Sequence, residues 1–250
     1  MATPTGKPTI PMHPQAQALP DSERGWKEIP YEEYIDPDHN PYLNLHRTWG
    51  RPVLTSEQAA ACRGAWQQEF GRKAPLNVEI GTGNGFFFSG MAESHPAENW
   101  LGIEIRFKRV ILTAKKLRAE ATEANSRICR YDASALSDLF LPGEIDTLYI
   151  NHPDPWDKER WAKNRLLGPE FLDKIAVLMA PGAELRIKTD HLVNVDAVLK
   201  HIDGRPFELF ARCDDVNGEG APWDGDIVTN YQRKFFERGL PVYALRLRRS

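Results

Sequence analysis

The segment that most restricts the fold of this chain is Asn77-Val78-Glu79-Ile80, which runs directly into Gly81-Thr82-Gly83-Asn84-Gly85 and then Phe86-Phe87-Phe88. A short apolar run, three glycines in five residues and an apolar helix start describe a strand, a tight turn and a helix in succession. Glycines at such a turn permit backbone geometry that other residues avoid and let a ligand approach closely. The spacing G-x-G-x-G differs from the dinucleotide fingerprint G-x-G-x-x-G, so a plain structural turn and a ligand cradle both stay open. The strand before it and the helix after it favour the cradle, because ligands of such sheets bind beyond the carboxyl ends of the strands.

The rest of the chain repeats the alternation. Strand-like runs occur at Leu101-Gly102-Ile103-Glu104, Ile128-Cys129-Arg130-Tyr131, Thr147-Leu148-Tyr149-Ile150 and Glu184-Leu185-Arg186-Ile187. Helical stripes lie between and after them: Phe171, Ile175 and Met179, then Leu192, Val195, Leu199 and Ile202. Two later strands, Phe207 to Phe210 and Val242 to Leu247, complete seven, the last antiparallel at or near an edge. The pattern predicts an α/β fold with a mostly parallel seven-stranded sheet and helices on both faces. Thr55 reads as a helix N-cap with Gln58 at the capping-box position, and that helix is expected to run toward Phe70. No internal repeat and no second domain are visible. Residues 1–45 are proline-rich and read as extended or partly disordered, the first 20 or so as disordered. Trp26, Tyr31, Tyr34 and Tyr42 suggest that the later part packs on the domain or on a partner. Residues 46–250 form the expected folded domain, headed by the Thr55 helix.

Composition narrows the function. The 250 residues suit one α/β domain. The formal net charge of -3 disfavours a general phosphate binder, which leaves local basic patches as the route to nucleic acid. Cys62, Cys129 and Cys213 are odd in number and well separated, which suggests neither a disulfide scaffold nor a zinc site. No metal is therefore expected. A reducing, cytoplasmic setting fits. No secretory pattern and no membrane span are apparent.

Several carboxylates mark the ligand edge. Glu104 ends the second strand, 21 residues after Gly83, where it can accept both hydroxyls of a ribose, in either NAD or S-adenosylmethionine. Asp132, followed by Ala133, either receives an adenine amino group or caps the next helix. Glu79 sits inside a strand, so its carboxylate needs a loop N–H or the cationic part of a ligand. After the fourth strand comes Asn151-His152-Pro153-Asp154-Pro155-Trp156. Two prolines restrict Asp154 and its neighbours, and a fixed carboxylate beside a flat ring suits recognition of a planar heterocycle. His152 either contributes a hydrogen bond or is merely packed or solvated.

At these residues the chain resembles the bacterial tRNA (guanine-N7-)-methyltransferases over about residues 49 to 247. The resemblance rests on Arg51-Pro52-Val53-Leu54-Thr55 with Gln58, on Glu79 to Gly85, on Gly102 to Arg106 and on Asp132-Ala133. It continues through Pro153-Asp154-Pro155-Trp156 with Lys158, Lys163 and Arg165, then Thr189-Asp190 and Thr229 to Gln232. It implies a Rossmann-like class I methyltransferase fold that binds S-adenosylmethionine. By it, the cofactor is held at Glu79, Gly81, Gly83, Gly85, Glu104, Asp132, Ala133 and Asp154, with Asp154 also the catalytic residue. Lys158, Asp190, Thr229, Asn230, Tyr231 and Gln232 would contact tRNA. The implied target is guanine 46 of the variable loop, and the implied state is a monomer or weak homodimer. His152, Trp161, Asn164 and Gln232 depart from the residues usual in that family.

The implied chemistry asks little of acid–base groups. Guanine N7 has a free lone pair and loses no proton when methylated, so positioning and electrostatics carry the step. Asp154 and Asp190 would hold the N–H edge of the base and favour its developing positive charge. RNA would meet the acid-free run Arg106, Lys108, Arg109, Lys115, Lys116 and Arg118, and the basic tail Arg233 to Arg249. Competing readings are a methyltransferase for another RNA or a small heterocycle, a non-catalytic cofactor-binding RNA adaptor, and an NAD-dependent dehydrogenase. Gln232 stands where a glutamate is usual. On this reading Gln232→Glu is expected to methylate faster than the native protein in a single-turnover assay, and equal rates would overturn the expectation.

Overall fold

A computed structural model describes residues 14–34, 39–155 and 165–250. These residues form an eight-stranded sheet: β1 (Val53–Leu54), β2 (Leu76–Ile80), β3 (Asn99–Glu104), β4 (Ser126–Arg130), β5 (Ile145–Asn151), β6 (Met179–Thr189), β7 (Phe207–Cys213) and β8 (Tyr243–Arg249). The helices are α1 (Pro41–Thr48), α2 (Ser56–Ala61), α3 (Trp66–Phe70), α4 (Phe86–Ser94), α5 (Phe107–Ala119), α6 (Pro169–Leu178), α7 (Leu192–His201), α8 (Val216–Glu219) and α9 (Asn230–Phe236). Single 3-10 turns cover Tyr31–Glu33 and Ala133–Asp138. None of the described helices is long and apolar enough to cross a membrane.

The strand order is β1-β4-β3-β2-β5-β6-β8-β7. All neighbours are parallel except β8, which runs antiparallel to both β6 and β7. From β2 the chain moves outward through β3 and β4 on one side, and from β5 outward through β6 on the other. The order therefore reverses between β2 and β5, which opens a crevice at their carboxyl ends. The sheet separates two apolar clusters. One gathers Trp66, Phe140, Leu148, Leu172 and Ile187. The other gathers Phe87, Phe88, Trp100, Val110, Ile111 and Tyr149.

The sheet holds one strand more than the seven expected. The addition is β1, whose two buried residues pair with Ile128 and Cys129. Two residues are too few to show an alternation in sequence. The Thr55 helix also differs. Thr55 and Gln58 form the expected capping box, but Gly64, at φ +76°, divides the segment into α2 and α3. Met179 leaves its helical stripe and begins β6. The N-terminal segment is tied down earlier than expected: Gln17 N–H donates to Arg63 O at 2.8 Å. Farther along, Gly25 and Trp26 donate to the Asp138 carboxylate at 3.0 and 3.1 Å. Trp26 packs edge-on to Tyr131, and Tyr34 edge-on to Phe107. Arg130 binds the Glu28 carboxylate at 2.8 Å. This segment therefore covers the end of β4.

The glycine turn is held by contact as well as by conformation. Gly85 caps α4 at φ +79°, and a Cβ there would stand 2.7 Å from the Thr113 Cα of α5. Gly81 is also left-handed, at φ +77°, but a Cβ there meets nothing within 4 Å. Gly85→Ala is therefore expected to destabilise the fold by about 2–4 kcal/mol, left-handed strain plus overpacking. Gly81→Ala should cost only about 1–2 kcal/mol, the strain alone. Urea denaturation of the two variants checks the difference, and equal losses would refute the packing argument.

Candidate functional site

The crevice is a cleft of about 580 Å³ at the carboxyl ends of β2, β3 and β5. Gly81, Thr82, Gly83 and Asn84 form one wall, Glu104 to Arg106 and Arg109 another, and Asn151 to Asp154 with Thr229 to Tyr231 the third. Gly81 and Gly83 both adopt positive φ, so the turn folds back close to its own strand. Its position is fixed by Glu104, whose carboxylate accepts from Gly83 N at 3.1 Å and from Arg106 N at 3.0 Å. A carboxylate with two oxygens, each holding one backbone N–H, retains lone pairs for a ligand in the cleft.

Glu79 lies on β2 at the bottom of the cleft and is almost wholly buried. Asn151 of β5 donates to its Oε1 at 2.8 Å, while its Oε2 has no partner. Burial pushes its pKa up to about 8, against the opposing pull of the Asn151 bond and the Lys188 charge. Lys188 of β6 sits across from Asn151 in the register and is completely buried. Its ammonium donates to both oxygens of Asp226 at 2.8 and 3.0 Å, to Ile227 O at 2.9 Å and to Gln232 Oε1 at 3.2 Å. Burial pulls its pKa down, and Asp226 and Glu79 resist. One buried cation thus ties the segment before α9 to the sheet.

A second network lies above it. His152 has φ +50°, which turns its ring back across the strand end. Its Nδ1 is 3.2 Å from Asp190 Oδ1, and its Nε2 is 3.1 Å from Thr229 Oγ1. The carboxylate assigns the ring proton to Nδ1, so Nε2 accepts from the Thr229 hydroxyl. That hydroxyl also accepts from Gln232 N at 2.8 Å as the N-cap of α9. Burial lowers the His152 pKa and outweighs Asp190, so the ring is neutral near pH 7. Tyr231 rests against it at 4.9 Å between ring centroids and remains half exposed toward the cleft.

Of the residues expected at the site, Glu79, Gly81, Gly83, Glu104, Asp154, Thr229, Asn230 and Tyr231 line one cleft. Asp154 is exposed at its edge. Other expected residues do not line it. Gly85 backs onto α5. Asp132 caps the Ala133–Asp138 turn, with its Oδ1 accepting from Ser134 N at 2.7 Å. Ala133 belongs to that turn. Asp190 stands behind His152. Gln232 is buried, bonded to Lys188 and to Asn217 Oδ1 at 3.3 Å. A glutamate at 232 would therefore meet Lys188 rather than a base, which changes the physical meaning of the Gln232→Glu test. Lys158, Trp156 and Lys163 lie outside the described residues. Sequence reasoning overlooked Asn151 as the partner of Glu79, and Lys188. The available signal was a lysine continuing the Leu185 and Ile187 strand into Thr189-Asp190.

Glu79 makes stability depend on pH in a definite direction. A carboxyl whose folded pKa is raised stabilises the fold fully below its unfolded value of 4.5 and loses that contribution as pH rises toward about 8. Glu79→Gln keeps an acceptor for Asn151 and removes the titration. The variant is expected to gain melting temperature relative to the native protein between pH 5 and 8. Parallel profiles for the two proteins would show that Glu79 is ionised throughout.

A family model described as "Putative methyltransferase" matches residues 73–245. The tRNA (guanine-N(7)-)-methyltransferase of Bacillus subtilis is 34% identical over 204 residues, covering 79% of this chain and 94% of that protein. The Bacillus velezensis enzyme of the same name is 35% identical, covering 82% of this chain and 93% of its own length. Among solved structures, the 16S rRNA methyltransferase KamB superposes with TM-score 0.57 at 18% identity, covering 74% of this chain and 92% of that one. That likeness shows the Rossmann-like class I methyltransferase fold. With both the cleft and the sequence match in hand, the chain belongs to the bacterial tRNA (guanine-N(7)-)-methyltransferase family, as a moderately divergent member.

Proposed function

We propose that this protein transfers the methyl group of S-adenosylmethionine to N7 of a guanine in tRNA, at position 46 of the variable loop. The observation that carries the reading is the unpartnered Oε2 of Glu79, buried at the cleft floor where the sheet order reverses. A buried carboxylate of that kind fits a cationic ligand group such as an ammonium. The Gly81–Gly83 turn leaves backbone room beside it, and Glu104 offers acceptors for ribose hydroxyls. These residues fit S-adenosylmethionine, which supplies an activated methyl on a sulfonium. Asp132, which caps its own turn through Oδ1, would offer its other oxygen to the adenine amino group.

The described side chains are arranged to orient rather than to take protons. Both ring nitrogens of His152 are engaged. Burial pushes the Cys62 thiol up to about 12 and raises Cys129 and Cys213 as well, so no thiolate is on offer at neutral pH. Alkylation at guanine N7 needs neither. Asp154 at the cleft edge would accept from the N–H edge of the base and stabilise the charge that grows on it. Thr229, Asn230 and Tyr231 form the adjoining wall, held by His152, and Asp190 and Gln232 support them from behind. Lys158 would meet the RNA. We place the reaction in the cytoplasm, carried out by a monomer or weak homodimer. The three cysteines are unpaired, in keeping with a reducing setting.

The test uses labelled S-adenosylmethionine and unmodified tRNA transcripts, with the product digested and mapped. The expected product is 7-methylguanosine in the variable loop. Asp154→Ala is expected to lower the transfer rate at least about 100-fold, as removal of one transition-state partner does, with cofactor affinity reduced far less. Methyl transfer to another RNA, or to another base of tRNA, would overturn the assignment.

A further inference from the structure

Beside the mouth of the cleft lies a second groove of about 380 Å³, between the start of α4 and the outer face of α5. Its walls are Asn84, Phe86, Leu112, Lys115, Lys116 and Ala119. Asn84 and Phe86 line the cleft as well, so the two hollows share a rim. Arg109, Leu112, Lys116 and Ala119 follow one another at three- and four-residue spacings, which places them on one stripe of α5. The stripe leads from the cleft, where Arg109 forms part of the wall and bonds Asn84, into the groove.

The lining has an unusual chemistry for a chain of net charge -3. Phe86 is 41% exposed at the start of α4. The Lys116 ammonium stands 3.6 Å from the centre of its ring. Lys115 is exposed. No acid occurs in α5, and among the described residues no carboxylate forms an ion pair with Lys108, Arg109, Lys115 or Lys116. Arg118, by contrast, is already neutralised by Glu123 at 3.1 Å. The face thus combines an aromatic ring, an apolar floor of Leu112 and Ala119, and ammonium groups without counter-charges. Single-stranded nucleic acid is held by this combination, with a base stacked on an aromatic ring and its phosphate at a cation. An acidic peptide would match the ammonium groups but would bring no flat base to the exposed part of the Phe86 ring.

We propose that this groove holds one nucleotide of the RNA substrate flanking the methylated base, with the base against Phe86 and Leu112 and the phosphate at Lys115 and Lys116. The proposal rests on the reading of the cleft as an RNA methyl-transfer site and extends the substrate path along α5. A base swung into the cleft must leave its stack, and a neighbour captured on Phe86 would hold the strand open beside it.

The test compares Lys115→Ser/Lys116→Ser, Phe86→Leu and Phe86→Trp with the native protein. The readouts are tRNA affinity by fluorescence anisotropy across a salt series, and S-adenosylmethionine affinity by calorimetry. The double lysine variant, altered only outside the core, is expected to bind tRNA about tenfold or more weakly. Its slope of log affinity against log salt should shrink by about 1–2, for one or two lost phosphate contacts. Its cofactor affinity should be unchanged. Phe86→Leu should weaken tRNA binding about tenfold and Phe86→Trp should restore it, because stacking needs a ring. If the native protein methylates tRNA and the double variant keeps both affinity and slope, the groove is not part of the RNA path. If the native protein neither binds nor methylates tRNA, the underlying reading fails and the groove assignment falls with it.

Discussion

An acid on β2 and a base on β6, both buried, set the terms for everything around the cleft. Glu79 and Lys188 lie on either side of β5, whose Asn151 donates to the first and is the register partner of the second. Neither charge has water to solvate it. Each must be neutralised, hydrogen-bonded or titrated away. Lys188 meets that demand by gathering Asp226, Ile227 O and Gln232, and this pulls the segment before α9 over the crevice. Glu79 meets it only in part, with one oxygen bonded to Asn151 and the other buried without a partner. One of the two buried groups is thus fully hydrogen-bonded and the other is not.

The same logic governs the strand end that follows. His152 occupies left-handed backbone space, which costs a residue with a side chain about 1–2 kcal/mol. Its ring nitrogens bond Asp190 and Thr229, which come from two different parts of the chain. The bonds offset the strain and convert a loop, a strand end and a helix cap into one unit. Strain of this kind persists only where surrounding contacts over-determine it. Here it aims Pro153-Asp154-Pro155 along the rim of the cleft instead of continuing the sheet.

Much of this was legible in the sequence because it depends on local rules. The β2 turn, the Thr55 capping box and the alternation of strands and helices are each encoded within a few residues. The carboxylates at strand ends followed from topology, since parallel strands deliver their last residues to one edge. What escaped was decided by distant partners. Asp132 carries the same residue type whether it caps a turn or meets a ligand, and only the position of Ser134 N shows that the cap forms. The resemblance assigned Gln232 to the substrate together with Thr229 to Tyr231, and those three do line the cleft. The first turn of α9 instead carries Gln232 inward to Lys188. The break at Gly64 and the two-residue β1 depend on packing against Leu141 and β4, which no window of sequence displays.

The distribution of charge completes the argument. A protein of net charge -3 cannot attract RNA through its average field, so attraction must be local. The structure separates its cations accordingly. Arg127, Arg130 and Arg205 are each paired with a carboxylate, and Arg186, Arg246 and Arg248 gather around Glu184; these cations are tied to the fold. Lys108, Arg109, Lys115 and Lys116 share one helix that has no acid of its own. That helix begins where Glu104 ends β3 and holds the glycine turn. The residues that shape the cleft at the glycine turn are therefore continuous with the cations of α5. Any shift of α5 against the Gly85 contact would move both together. Where alignment limits a methyl transfer, the placement of the one helix that packs on Gly85 and carries these cations matters on both counts.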